Sequence, residues 1–187
     1  MAEVPPYIVA FPPARAKPHP VILPREFRQI KKGMQKELLL DMLVQNQHTC
    51  SSAFDQITAE KADLRLNAGT ASVGFIYRHI GEMMNLFGLF FGLPTDVQNT
   101  TMGQADNGQG RDIETSRLLI EQGFARLQDY VRNTIDTAWC DPIETPFFGT
   151  VSRARLFAHI LFHNSHHAGQ IGLTLAKGAK LPPVPFG

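Results

Sequence analysis

The sequence contains few cysteines, no long apolar run and almost no excess charge. Cys50 and Cys140 lie far apart and outside CxxC spacing, which argues against a disulfide framework and against a cysteine-based zinc site. No apolar run reaches the roughly 18 residues of a membrane-spanning helix. The formal net charge of +1 argues against nucleic-acid binding and against a basic membrane-binding patch. Two free thiols suit a reducing compartment, so we expect a cytoplasmic protein.

Several common catalytic motifs are also missing. The chain has no P-loop, no dinucleotide-binding fingerprint and no G-x-S-x-G nucleophile elbow. It lacks the HExxH zinc-protease pattern as well, because His163 is followed by Asn164. The 187 residues are 43% hydrophobic and 19% charged, which is typical of one globular domain with a core of its own.

Proline divides the chain into two parts. Residues 1–24 hold seven prolines, and proline fixes φ and removes an amide donor, so this arm should be extended rather than helical. The residues leave open whether the arm wraps a surface or a partner chain, or is disordered. We assign residues 25–187 to a single domain.

Four helical patterns follow the arm, and none of the intervening segments has a convincing strand pattern. The predicted helices cover residues 25–57, 72–91, 112–138 and 150–176, with Thr70 or Ser72 capping the second and Thr150 or Ser152 capping the fourth. Residues 95–111 form a polar, glycine-rich, mobile loop, and residues 140–149 form a shorter loop. We therefore predict an all-α four-helix bundle. The long second loop favours a crossover with helices two and three parallel, in up-down-down-up order.

Apolar periodicity predicts which faces of the helices turn inward. On the first helix it selects Leu38, Leu39, Met42, Cys50, Ala53 and Ile57, with Asn46 as one polar member, and on the third it selects Ile113, Ile120, Phe124, Leu127, Val131 and Ile135. Both cysteines are expected to be small buried hydrophobic residues. Phe87, Phe90 and Phe91 are expected to lie in the core or in a dimer contact.

Histidines occupy the apolar faces of two helices. At about 100° per residue, His163 and His167 fall within the same stripe as Leu156, Ile160 and Ile171 on the fourth helix. On the second helix, His79 falls at the centre of a face that also carries Ile76, Met83, Leu86 and Phe90. The two helices therefore turn three imidazoles into the same bundle interior.

Three inward imidazoles are difficult to satisfy by isolated hydrogen bonds. Neutral imidazoles converging on one point suit a divalent transition metal, and three protein ligands with one open position are typical of a catalytic zinc site. His79, His163 and His167 are therefore the predicted metal ligands. The alternative is a hydrogen-bonded core cluster without metal.

Other polar residues are weaker candidates. Glu82 could orient a ligand imidazole as a hydrogen-bond acceptor, although a surface position is favoured for it. His159 and His166 lie at the margin of the stripe and could act in the same way or face solvent. His48 should be exposed, opposite the apolar face of the first helix. Gln170 is expected to hydrogen-bond inside the bundle in a packing role.

Two segments resemble a known family. The stretches "ASVGFIYRHIGEMMNLF" and "HNSHHAGQIG" are similar to the one-histidine second-helix segment and to the fourth-helix HxxxH signature of the DinB/YfiT-like superfamily of metalloenzymes, and the resemblance covers roughly residues 30–180. This is the damage-inducible helical-bundle family, and not the polymerase that shares its name.

The resemblance implies a four-helix bundle, often a homodimer, with a zinc or nickel site formed by His79, His163 and His167. It further implies a transferase in which the metal activates a low-molecular-weight thiol toward a small-molecule substrate. Metal-assisted hydrolysis and a non-catalytic, metal-stabilised dimeric bundle are the alternatives. A fourth protein ligand would favour the non-catalytic alternative, and an open fourth position would favour catalysis.

Overall fold

A computed structural model describes residues 34–182 of the chain. This part is mostly helical, with four α-helices, two short 3₁₀ helices and two small antiparallel sheets. The helices are α1 (Met34–Phe54), α2 (Val73–Phe90), α3 (Ile113–Asn133) and α4 (Arg153–Lys177). The predicted arm of residues 1–24 and the predicted helical residues 25–33 lie outside the described residues.

Capping side chains begin α2 and α4 where the sequence predicts. The Ser72 hydroxyl accepts a hydrogen bond from the amide of Phe75, and the Ser152 hydroxyl accepts one from the amide of Arg155. Each bond satisfies one of the free amides of a first helical turn. Gly178 follows the last residue of α4 as its C-cap. The two serines, rather than Thr70 and Thr150, are therefore the caps.

Two small sheets lie where no strand was predicted. Strand β1 (Leu64–Arg65) pairs with β4 (Ala179–Lys180), and β2 (Pro142–Thr145) forms a hairpin with β3 (Gly149–Ser152). The prediction that residues 140–149 form only a loop was wrong. Four-residue strands are too short to show a clear two-residue period, and pairing with a neighbouring strand supplies their hydrogen bonds.

The third helix is shorter than predicted. It ends at Asn133, and the chain continues through a 3₁₀ helix (Asp136–Cys140) instead of extending to Ala138. Ile135 follows the end of the helix and is exposed, so its assignment to the buried stripe was wrong. Trp139, in the 3₁₀ helix, is fully buried and anchors this segment to the core.

The apolar face of α1 is rotated relative to the prediction. The buried residues of α1 are Leu39, Leu43, Asn46, Cys50, Ala53 and Phe54, whereas Leu38 and Met42 are 56% and 41% exposed. From Leu39 to Ala53 the buried residues have the alternating four- and three-residue spacing of a narrow stripe. Leu38 and Met42 lie to one side of that stripe, so their inward assignment was wrong.

Glycines allow α2 and α3 to approach closely. A Cβ atom at Gly81 would lie 2.8 Å from the Cβ of Leu119, and one at Gly123 would lie 2.7 Å from the Cβ of Met84. Closer to the N-terminal end of both segments, Gly74 of α2 contacts Gly110, which precedes α3 in the chain. The contacts advance in the same direction along both segments, so α2 and α3 run parallel.

Residues 95–111 are irregular, as predicted, but the loop is anchored at several points. The Asp106 carboxylate pairs with the Arg65 guanidinium at 2.8 Å and accepts a hydrogen bond from the Ser72 amide, also at 2.8 Å. Thr101 is buried against α2. These contacts attach the loop to Arg65 and to α2. Across residues 34–182, the helices fall short of the length and hydrophobicity that a bilayer crossing needs.

Candidate metal centre

The structure brings the three predicted histidines together between α2 and α4. His79 extends from α2 toward His163 and His167, which lie one helical turn apart on α4. The ring centroid of His79 lies 5.0 Å from that of His163 and 5.0 Å from that of His167, and the centroids of His163 and His167 are 4.4 Å apart. One ring nitrogen from each residue lies within 4.8 Å of the others. All three side chains are only partly buried, so the cluster lies close to the protein surface.

The spacing of these nitrogens fits a metal ion. In a tetrahedral site with Zn–N bonds of 2.0–2.1 Å, two ligand nitrogens lie about 3.3 Å apart. The Nε2 atoms of His79 and His163 are 3.1 Å apart, and the third ligand nitrogen completes the group within 4.8 Å. Within residues 34–182, no additional His, Cys, Asp or Glu belongs to this cluster. The donor set therefore offers three nitrogens and leaves further coordination positions to other molecules.

Thr101 sets the proton position on His79. The Thr101 hydroxyl lies 2.7 Å from Oε2 of Glu82 and 3.1 Å from Nδ1 of His79. A carboxylate can only accept hydrogen bonds, so the hydroxyl proton points to Glu82 and the hydroxyl oxygen accepts from Nδ1–H of His79. This network assigns the proton of neutral His79 to Nδ1. The Nε2 lone pair then faces His163 and His167.

Glu82 is fully buried, so the prediction of a surface position was wrong. Its carboxylate accepts hydrogen bonds from Nε of Arg78, from the amide and hydroxyl of Thr100, and from the hydroxyl of Thr101. Burial opposes ionisation, but these hydrogen bonds prevail and lower the pKa of Glu82 below its usual value. Glu82 therefore acts on His79 through Thr101, as an ionised acceptor.

Gln170 orients the imidazole of His167. Its Oε1 atom lies 2.6 Å from Nδ1 of His167, and its side chain is exposed rather than packed inside the bundle. The predicted packing role was therefore wrong. An amide oxygen accepts from Nδ1–H, which leaves Nε2 of His167 free to coordinate a cation.

Burial favours the neutral form of all three imidazoles. Together with a smaller effect of neighbouring histidines, it lowers the pKa of His79 to about 4 and that of His163 to about 2. Burial also lowers the pKa of His167, against the opposing effect of its bond to Gln170. The neutral imidazole is the form that binds metal, so the cluster is in its coordinating form at neutral pH.

Within residues 34–182, the other histidines and the two cysteines lie outside the cluster. His48 is exposed, as predicted, and His166 is exposed beside His167. His159 is half-buried, with its ring centroid 6.2 Å from that of His163. Cys50 is buried, and burial raises its pKa to about 11. Cys140 is exposed, so its assignment to the core was wrong.

Thr101 had no sequence signal, because it lies in an irregular loop without periodicity. We predict that Thr101→Val lowers the affinity for Zn²⁺ about 10- to 100-fold, the usual cost of losing a hydrogen-bond partner of a ligand histidine. Valine keeps the shape of threonine but cannot accept from Nδ1–H of His79. Competition with a chromogenic chelator measures the affinity. Thr101→Ser should retain it, and equal affinities for Thr101→Val and the unmodified protein would contradict the role of Thr101.

The fold and the cluster define a mostly helical protein whose packed helices carry a three-histidine site. A family model described as the DinB superfamily matches residues 42–171. This match covers more than half of the chain, and the protein belongs to the DinB superfamily.

The chain is similar in fold to a solved structure. The structure described as the conserved protein of locus from Enterococcus faecalis matches with a TM-score of 0.52 and 14% sequence identity, over 75% of this chain and 94% of that chain. At this identity the match supports the fold alone. No curated protein matches the chain.

Proposed function

We propose that this protein is a metal-dependent transferase. His79, His163 and His167 would hold a divalent transition metal, and a low-molecular-weight thiol would be transferred to an electrophilic small molecule. The observation that carries the proposal is the convergence of three ring nitrogens, one from each histidine. In two of these rings, His79 and His167, the Nδ1 atom is hydrogen-bonded to Thr101 and Gln170, respectively. Such a metal, when present, would supply a Lewis acid that lowers the pKa of a thiol.

The residues around the cluster support a zinc or nickel ion. Neutral imidazoles are suitable ligands for both metals. The hydrogen bonds from His79 to Thr101 and from His167 to Gln170 fix the rings with Nε2 available. Because the three ligands carry no charge, the full charge of the cation would remain available to an anion at an open position. Thiol activation is therefore favoured by this donor set.

Metal-assisted hydrolysis is less well supported by the structure. It requires a nearby general base to accept a proton from water. Glu82, one of the candidates for that role, is fully buried and its carboxylate already accepts four hydrogen bonds. A thiol is more acidic than water before it binds, so a metal-bound thiol would release its proton to solvent with less need of a dedicated base.

The helix order and a homodimer are also parts of the proposal. The up-down-down-up order is supported by the parallel α2 and α3. It is also supported by contacts between α2 and α4 that advance in opposite directions, since His79 contacts His167 and Phe87 contacts His159.

A homodimer is supported by exposed apolar side chains along α1 and α4. Met42 and Phe162 line a shared groove there, and Leu38 is exposed on α1. Two free cysteines support a cytoplasmic location.

The transferase proposal predicts thiol binding at the metal and product formation. We expect a cellular thiol to change the visible spectrum of the cobalt-substituted protein, and the same thiol to form a conjugate with a chromogenic electrophile. A panel of thiols should be tested with the loaded protein, and the metal-free protein and His163→Ala serve as controls. If no thiol changes the spectrum and no conjugate forms faster than in the controls, a non-catalytic, metal-stabilised bundle replaces the transferase.

A further inference from the structure

Aromatic rings extend from the histidine cluster to the protein surface. We call Phe87, Phe90, Phe147, Phe148 and His159 the aromatic rim. The Phe87 ring centroid lies 6.2 Å from that of His163, 5.4 Å from that of His159 and 6.2 Å from that of Phe147. Phe148 lies 4.4 Å from His159. The rings therefore form a continuous wall that begins at a predicted metal ligand.

The hairpin holds its two phenylalanines in place. Thr145 is buried, and its hydroxyl accepts a hydrogen bond from the amide of Phe148 at 3.0 Å and donates one to the carbonyl of Gly149 at 3.1 Å. Gly149 has a φ of +62°, which lets the chain turn back into β3. Helix α4 follows β3 directly, so the hairpin tip is fixed relative to the helix that carries His163.

The outer end of the rim is exposed. Phe87 is buried and belongs to the core, whereas Phe90 and Phe148 are half-buried and Phe147 is 50% exposed. An exposed phenylalanine forfeits the free energy that its burial would contribute. The hairpin nevertheless presents Phe147 beside Phe87, whose ring in turn lies beside that of His163. A ligand with a planar apolar surface would cover the exposed part of this ring.

We propose that the aromatic rim binds the uncharged, planar, aromatic or conjugated part of a small-molecule substrate whose reactive atom reaches the histidine cluster. The inference rests on the proposed function, because it takes the cluster as the reactive end of the site. Neighbouring phenylalanine centroids in the rim are 6.1–6.3 Å apart, within the range in which aromatic rings pack favourably edge-to-face or offset. The rim thus selects a ring or a conjugated system over a short aliphatic group.

Two hydroxamates with the same metal-binding group test the inference. Benzohydroxamate carries a phenyl ring where acetohydroxamate carries a methyl group, and neither requires thiol chemistry. We expect the cobalt-loaded protein to bind benzohydroxamate about tenfold more tightly than acetohydroxamate, because the phenyl ring gains apolar contacts with the rim. The visible spectrum of the metal reports both affinities without any turnover.

Substitution of Phe147 then assigns the preference to the rim. Phe147→Ala should reduce the ratio of the two affinities about fivefold or more, with the acetohydroxamate affinity and the metal content unchanged. Phe147→Tyr keeps the ring and should retain the ratio. Leu118→Ala is the control, since Leu118 is 63% exposed on α3 and lies outside the rim and outside the groove between α1 and α4.

Each other outcome overturns the inference. If Phe147→Ala leaves the ratio of the two hydroxamate affinities unchanged, the rim does not bind the aromatic group, although the metal centre is still supported. An unchanged ratio accompanied by a shift from dimer to monomer in Phe147→Ala would make the rim an interface between copies of the chain. If the loaded protein binds neither hydroxamate, the centre has no open position, and the proposed function is lost together with this inference.

Discussion

Replacing His79, His163 or His167 with alanine is expected to abolish stoichiometric metal binding. Each substitution removes one of three ring nitrogens that lie within 4.8 Å of one another. Losing only a hydrogen-bond partner of a ligand already costs about 10- to 100-fold in metal affinity, so losing a ligand should cost more. Metal analysis of each variant, purified without an affinity tag and dialysed against Zn²⁺ or Ni²⁺, gives the number of ions bound per chain.

His48→Ala is the matched control for these three variants. His48 is an exposed histidine on α1, so its loss removes an imidazole without disturbing the cluster. Metal content should remain at the level of the unmodified protein. Circular dichroism should show that all four variants are folded. Full metal retention in the three cluster variants would place the ligands elsewhere and would leave the imidazoles as a hydrogen-bonded core cluster.

Glu82→Ala should destabilise the fold by about 3–5 kcal/mol, the usual cost of removing one partner of a buried ion pair. The substitution leaves the partly buried Arg78 guanidinium without its carboxylate, which lies 2.7 Å from Nε. It also removes the acceptor of the Thr100 amide and of the Thr100 and Thr101 hydroxyls. Denaturant unfolding of the metal-free protein measures the change in the free energy of unfolding separately from any effect on metal binding.

A surface ion pair provides the comparison for Glu82. Glu114 is 76% exposed and lies 3.4 Å from Arg117 on the same helix, so Glu114→Ala should change the free energy of unfolding by about 0.5 kcal/mol or less. Glu82→Gln, which keeps one acceptor oxygen and loses the charge, should fall between the two. Equal losses for Glu82→Ala and Glu114→Ala would show that the buried carboxylate does not hold residues 95–111 against α2.

Helical periodicity in the sequence determined most of the histidine cluster. His163 and His167 share a stripe with Leu156 and Ile160, which are fully buried, and their four-residue spacing places both rings on one side of α4. His79 was identified in the same way on α2. The sequence placed the starts of these helices at Thr70 or Ser72 and at Thr150 or Ser152, because a hydroxyl before an apolar period caps the first turn, and the structure selects the two serines. All of these signals are local, and a regular helix converts sequence spacing directly into direction.

The same periodicity failed on the first helix, which carries more apolar residues than its packed face can bury. Leu38 and Met42 were assigned to the buried face, but packing against α3 and α4 leaves both exposed. The hairpin at residues 142–152 was missed for a related reason. Its strands are defined by pairing with each other, and four residues are too few to reveal that pairing in the pattern of apolar side chains.

The sequence alone therefore determined the helices, most of their inward faces and the inward direction of the three imidazoles, because each of these depends on residues a turn or two apart. Only the tertiary structure decided what holds those imidazoles and what borders them. Thr101 reaches His79 from a loop 22 residues along the chain, and Phe147 reaches Phe87 from a hairpin beyond α3. The positions of such segments are set by contacts between distant residues, such as the ion pair of Arg65 and Asp106, and no local period records those contacts.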